Sequence, residues 1–412
     1  MKIKDFLQLY QQDSFIQTVV AQVEQSHQEK PEGSRIFLKG LIGSLDAVIV
    51  SSLHHHFSDK NYLLVLADRE EAQYFFNDLQ NFFPESSLHF FPTSYKKPYQ
   101  YDETENANVL MRAEVLSNLP LTSGKGQGKL IITYPEAICE KVISRKSLVK
   151  NTFVVKVGDK LDTDFVTELL VSYDFDKTDF VYEAGQFSIR GGIIDIFSFA
   201  HEMPFRIELF GDEIESIRTF NPETQLSVDA KTEVAILPNV EKKLLYETRE
   251  SFLDFLSENT WVWLKNAELT LEIMEKNFAE VENRFQEMIG KGNIQVISEP
   301  EDLFESRKSF LAQLRKRHVV EFGRKSHFKT EHVIEFSASP QPSFNKDFNR
   351  LVENIQDNKT HDLITVLAAE SEKQALKLNQ ILESLETNLP TGENLPFLQR
   401  EDGGGCAFRE GF

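Results

Sequence analysis

The residues best placed to do chemistry lie in the turn Gly40-Leu-Ile-Gly43-Ser-Leu-Asp46-Ala47, between a strand-like run, Arg35 to Lys39, and an apolar helical run ending near Phe57. In α/β ATPases this turn reads G-x-x-x-x-G-K-[ST]. Its backbone amides cradle phosphates, its Lys meets the β- and γ-oxygens, and its hydroxyl holds magnesium. Here Gly40 remains, but Leu45 stands at the second glycine, Asp46 at the lysine and Ala47 at the hydroxyl residue. A carboxylate in place of the lysine repels a triphosphate. The degenerate loop with Gly40, Gly43, Asp46 and Ala47 is therefore expected to bind no nucleotide, and no cofactor is expected elsewhere.

Other reactive residue types lack a supporting pattern. His54, His55 and His56 are consecutive, and successive helical residues point about 100° apart, so they cannot converge on one metal ion. They are expected at the helix end or facing solvent. Two cysteines, Cys139 and Cys406, suggest neither a disulfide framework nor a zinc site and fit a reducing cytoplasm. Gly124 to Lys129 precedes a strand instead of joining strand to helix, and reads as a flexible loop. No Ser/His/Asp, Cys/His or paired-carboxylate arrangement has context, so no catalytic residue and no metal site are expected.

Net charge is −20, so the averaged field repels polyanions and favours protein partners. The exception is Arg307 to Lys329, with eight Lys or Arg against Glu321 alone. It reads as a solvated basic face on a helix or linker around Leu311 to His318 in preference to a phosphate contact, because no aromatics interleave for base stacking. No run approaches the length of a membrane-spanning helix, and no signal peptide is visible.

The elements that would position these residues follow from periodicity. Strand, glycine turn, helix, strand and helix alternate from Arg35, with further strands at Leu88 to Phe91 and Leu130 to Tyr134. This is the pattern of a parallel sheet covered by helices. From Phe153 short β-rich runs take over, at Phe180 to Tyr182, Phe187 to Ile189, Gly192 to Ser198, Phe205 to Phe210 and Glu215 to Phe220, punctuated by turn residues. This predicts a compact, largely antiparallel module. Helical spacing returns in Leu271, Met274, Phe278, Val281, Phe285 and Met288, a core-facing stripe or, alternatively, a coiled-coil seam. A strand at Asp362 to Ala369 and a helix from the N-cap Ser371 to about Leu385 are expected to start another α/β domain. The reading is therefore a multidomain α/β protein: residues 1–146 as an α/β domain, 147–238 as an inserted β-rich domain, 239–329 as the second part of the first domain with a basic linker, and 330–412 as a further α/β domain. The tail from Glu386 suggests a truncated or disordered end. Without a long heptad run the chain is expected to be a monomer.

The densest motif is Gly185-Gln-Phe-Ser-Ile-Arg190-Gly-Gly-Ile-Ile-Asp195-Ile-Phe197, followed by Pro204 to Phe220 and Pro222 to Gln225. Over about Phe180 to Gln225 it resembles the small inserted domain shared by the excinuclease B subunit and transcription-repair-coupling factors, a domain that docks onto UvrA, the damage-sensing ATPase of nucleotide excision repair. A weaker, collinear resemblance runs from Arg35 through the last strand-helix unit. In the excinuclease B subunit the first turn is an intact phosphate loop followed by a Tyr-rich hairpin. The degraded loop and the few tyrosines here, Tyr95, Tyr99 and Tyr101, place the chain with the coupling factors, the excinuclease B subunit being the alternative.

The resemblance implies UvrA-facing positions at Lys177, Arg190 and Phe197. Lys177 departs from the usual Arg and lacks its planar fork. From the residues alone, Arg190 would pair with a carboxylate such as Asp195 or Glu208; the resemblance implies an outward contact aimed by Gly191-Gly192. It further implies that RNA polymerase and DNA are engaged through an ATP-driven translocase part not visible in these 412 residues. The chain itself is expected to be a non-enzymatic adaptor.

Overall fold

The computed structural model describes residues 3–29, 33–94, 106–119, 128–199, 201, 203–238, 248–290, 298–330, 332–361, 363, 365–367, 369 and 371–385. Tyr95, Tyr99, Tyr101, Cys406, the tail from Glu386 and most of the Gly124 to Lys129 loop lie outside these residues.

Seventeen strands follow in chain order among the described residues: β1 (Arg35–Lys39), β2 (Asn61–Val65), β3 (Leu88–Phe90), β4 (Leu130–Thr133), β5 (Val142–Ile143), β6 (Phe153–Lys156), β7 (Asp176–Lys177), β8 (Gln186–Arg190), β9 (Ile193–Ile196), β10 (Phe205–Phe210), β11 (Glu213–Phe220), β12 (Ser227–Lys231), β13 (Glu233–Ile236), β14 (Arg249–Glu250), β15 (Thr260–Lys265), β16 (Val319–Gly323) and β17 (His332–Glu335). Seven form one sheet in the order β17-β1-β16-β15-β2-β4-β3, and every pairing in it is parallel. Because crossover helices cover both faces of such a sheet, its central strands are apolar throughout. Every residue of Asn61-Tyr-Leu-Leu-Val65 is buried accordingly. The fold is thus multidomain α/β, as the alternation predicts.

The β-rich domain leaves this sheet after β4 and returns at β15, and both of those strands flank β2. Two antiparallel ladders close the point of departure: β5 with β14, then β6 with β13. Beyond them β12-β11-β10-β9-β8-β7 form a second sheet, antiparallel except for β7 with β8. Strand alternation sends Phe187, Ile194, Ile196, Phe205, Ile207 and Ile217 to one face, where they pack on Val166 and Leu170 of the helix Thr163–Ser172 and on Val155, Val234 and Ile236. The other face carries Ser188, Asp195, Arg206, Glu208, Ser216 and Arg218 of the same strands.

Several expectations change. Phe180 to Tyr182 is not a strand but an irregular segment laid over the second sheet. The basic region contains a helix, Arg307–Leu314, as one of its two readings had it, and also the sheet strand β16, which neither reading included. Strand β17, beyond residue 330, also joins the first sheet, beside β1. None of the described residues between 362 and 369 is in a strand. The preceding chain instead forms the helix Phe348–Thr360, capped by Asp347, whose carboxylate accepts from Asn349 N and Arg350 N. The helix Glu372–Leu385 is present, and Gln374 N donates to Ser371 Oγ at 3.3 Å as its N-cap predicts.

All three histidines lie in the last turn of the helix Leu45–His56, as expected, but His54 does not face solvent. It is 1% exposed, against the edges of Tyr62 and Phe83, whereas His55 and His56 are exposed. Burial holds the His54 imidazole at a pKa of about 4. The unfolded chain titrates near 6.5, so between these values the unfolded state binds the extra proton. Stability is full above about 6.5 and falls as the pH drops toward 4, by roughly 3 kcal/mol in all. Urea unfolding at pH 7 and pH 5 is expected to show a lower midpoint at pH 5, with a smaller difference in His54→Phe. Equal pH dependence in the two proteins would show that His54 is not responsible.

Candidate partner-binding face and the degenerate loop

The loop between β1 and the helix Leu45–His56 occupies the phosphate-loop position, but other contacts account for its residues. Gly40 has φ +87°, and a Cβ there would lie 2.4 Å from the Phe336 carbonyl oxygen, so close backbone approach keeps the glycine. Gly43 has φ +56°. Asp46 is buried in the first helical turn, where a negative charge complements the helix dipole. Lys265, at the end of β15, reaches Asp46 at 2.9 Å and Glu71 at 2.6 Å. The anion at this helix start is thus a side chain of the chain itself, already paired with a lysine. Ala47 is buried and donates its backbone N–H to Asp46 Oδ1 at 2.8 Å.

Cys139 is buried, and desolvation raises its thiol pKa, the opposite of what a nucleophile needs. Among the described residues no group of three or more His, Cys, Asp or Glu is placed to hold a metal ion, and no helix is long and apolar enough to cross a membrane. The basic region is divided. Arg317 turns inward, donating to the carbonyls of Leu253, Leu256 and Ser257, and Arg307 pairs with Glu275. The exposed cations Arg315 and Lys316 precede β16, while Arg324, Lys325 and Lys329 follow it.

The polar face of the second sheet holds the most organised surface group. Register aligns Ser188, Asp195, Arg206 and Arg218 across β8, β9, β10 and β11, with Glu208 and Ser216 in the next row. Asp195 Oδ2 accepts from Arg190 Nη2 at 2.6 Å and from Arg206 Nη2 at 2.9 Å, and Oδ1 accepts from Arg206 Nε at 2.7 Å. The carboxylate holds the Arg206 guanidinium more firmly charged than usual. Arg218 pairs with Glu208, which also accepts from Ser216 Oγ. Residues 171–230 contain twelve acidic and four basic side chains. Three of those four basic side chains gather on this face.

The three candidate contact residues lie in different settings. Arg190, the last residue of β8, keeps a side chain 35% exposed; its guanidinium lies 4.6 Å from the Phe180 ring centroid and also donates to the Asp179 carbonyl. Gly191 and Gly192 form the two-residue turn after it. A positive φ at Gly191 alone matches a type II′ hairpin, and a Cβ on Gly192 would lie 2.9 Å from the Leu209 carbonyl oxygen. Lys177 is exposed, but its register partner is Phe187, whose side chain faces the core, so Lys177 belongs to the opposite face. Phe197 shares the Arg190 face but is only 8% exposed, packed with Val181 and Phe220 beneath the irregular segment.

The structure adds residues that the motif did not single out. Phe210 ends β10 on the face of Arg206 and Glu208 and is 79% exposed, while Phe180, against the Arg190 guanidinium, is about half exposed. Alternation along Phe205-Arg-Ile-Glu-Leu-Phe210 could have assigned Phe210 to the polar face. An apolar residue at a polar-face position was the available signal. The face thus combines arginines with exposed aromatics, the residue types enriched at interface centres.

Residues 153–241 match the family model described as the UvrB interaction domain. The match begins at β6 and includes the whole second sheet. Over 254 residues the chain is 29% identical to the transcription-repair-coupling factor of Bacillus subtilis (strain 168), covering 61% of this chain and 21% of that protein. The sequence resembles the amino-terminal region of transcription-repair-coupling factors. The coupling factor of Staphylococcus epidermidis aligns over 91% of this chain at 26% identity, and that of Myxococcus xanthus over 53% at 31%. These alignments span 21%, 36% and 18% of the three coupling factors, so the chain spans well under half their length. Likeness to the coupling factors runs beyond the inserted domain into the parallel sheet that carries it.

Proposed function

We propose that this chain acts in transcription-coupled nucleotide excision repair as a binding adaptor, recruiting UvrA through the inserted domain. The supporting observation is the arginine and aromatic face of the second sheet, inside a domain that matches the UvrB interaction family. A partly exposed Arg190 flanked by Phe180 suits a protein surface bearing carboxylates, since guanidinium forks match carboxylate geometry. Detection of stalled RNA polymerase and ATP-driven movement on DNA would belong to parts of a longer protein. The chain's own role in this reading is to recruit UvrA to the lesion.

Titration calorimetry of the chain against UvrA tests the reading directly. A saturable 1:1 isotherm is the expected result, and absence of heat at micromolar concentrations of both proteins would defeat it. ATP titrated into the same chain with magnesium is expected to give no binding. A nucleotide would have to displace Lys265 from Asp46 and then face the buried Asp46 carboxylate. Micromolar ATP affinity would overturn the inert-loop reading and favour an excinuclease B type of activity.

A further inference from the structure

Asp195 has no solvent exposure, yet it is the common partner of Arg190, the proposed contact residue, and of Arg206, whose side chain is only 16% exposed. It lies on β9, which has hydrogen-bonded neighbours on both sides, so its backbone is fixed by β8 and β10. Arg190 approaches it from one neighbouring strand and Arg206 from the other. Two guanidiniums brought together repel, and only a negative charge between them makes that arrangement stable in a partly buried setting. Each arginine also has a second anchor: Arg190 lies over Phe180, and Arg206 lies 4.4 Å from the Phe220 ring centroid and donates to the Gln225 carbonyl at 3.2 Å.

We infer that Asp195 is a positioning residue of the partner-binding face, a buried carboxylate that holds Arg190 and Arg206 side by side before the partner arrives. This role rests on the reading of that face as the UvrA contact. Long arginine side chains lose rotamer freedom when a complex forms, and a contact whose rotamer is already held gives up less. Asp195 touches no partner itself. It acts through Arg190, whose outward edge then meets partner carboxylates in a fixed orientation.

The full 412-residue chain and its Asp195→Asn, Arg190→Ala and doubly substituted variants would be titrated against UvrA, with arginine Nε–H NMR spectra of the free proteins. Asp195→Asn is expected to weaken binding at least tenfold. In the Arg190→Ala background it should add less than twofold, because the route through Arg190 is already gone. The Arg206 Nε–H signal, from the proton donated to Asp195, should lose its protection from exchange in Asp195→Asn. Parent-like affinity of Asp195→Asn, or an undiminished further loss in the double variant, overturns the role while leaving the UvrA reading intact. No binding by the parent overturns that reading and this role together. Should Asp195→Asn fail to fold, Asp195→Glu keeps the charge but moves it by one methylene; it is expected to weaken UvrA, and parent-like affinity would again overturn the proposal.

Discussion

Replacing Arg190 by Ala is expected to weaken UvrA binding by between tenfold and about a hundredfold, the equivalent of a lost charge-assisted contact of about 1.5–3 kcal/mol. The fold should survive, because Asp195 keeps both hydrogen bonds from Arg206 when Arg190 is removed. An unchanged melting temperature would therefore accompany the loss of affinity. Arg190→Lys should fall between parent and Ala, since it keeps the charge and loses the planar fork that lies over Phe180. Arg190→Glu should be the weakest, as it sets a second carboxylate beside Asp195. Lys177→Ala provides an internal contrast: its position on the opposite face predicts less than a twofold change. If Lys177→Ala weakened binding and Arg190→Ala did not, the assignment of the interface to the polar face would be wrong.

The largest expected loss of stability lies far from that face. Arg112 is fully buried, 3.2 Å from Glu140 Oε2, with its guanidinium 4.2 Å from the Phe91 ring centroid and one nitrogen donating to the Pro92 carbonyl. Glu140 also accepts from Ser94 N at 2.9 Å and Ser94 Oγ at 2.7 Å. The network ties the chain after β3 to the helix Asn106–Asn118 and to the residue following the helix Pro135–Cys139. Taking away one member of a buried ion pair leaves the other charged and unpaired, which costs about 3–5 kcal/mol. Arg112→Ala is thus expected to lower the urea midpoint sharply, while Arg112→Met with Glu140→Leu should lose less than Arg112→Ala alone. A loss below about 1 kcal/mol in Arg112→Ala would show that the pair contributes little. Because the pair lies in the parallel sheet domain, UvrA affinity of the folded fraction should not change.

These outcomes reflect which features one dimension can carry. Composition and local period determined the two kinds of sheet: apolar runs such as Tyr62 to Val65 can only be buried on both faces, and alternation in Phe205 to Phe210 can only be buried on one. The turn from Gly40 to Ala47 and the pair Gly191-Gly192 were also legible, because they depend on charge and backbone freedom at adjacent positions. Tertiary structure decided which residues met across long separations. Lys265 reaches Asp46 from 219 positions away, and β15, β16 and β17 return to the sheet that β1 began, because a parallel sheet leaves neighbour choice to its crossovers. It also decided which face each candidate occupied. Lys177 lies in a two-residue strand with no period to read, Phe197 is covered by a segment with no regular structure, and His54 is buried by Tyr62 and Phe83 from outside its own helix. Residue type can propose an interface, but exposure depends on what the rest of the chain packs against, and that is set only by the folded arrangement.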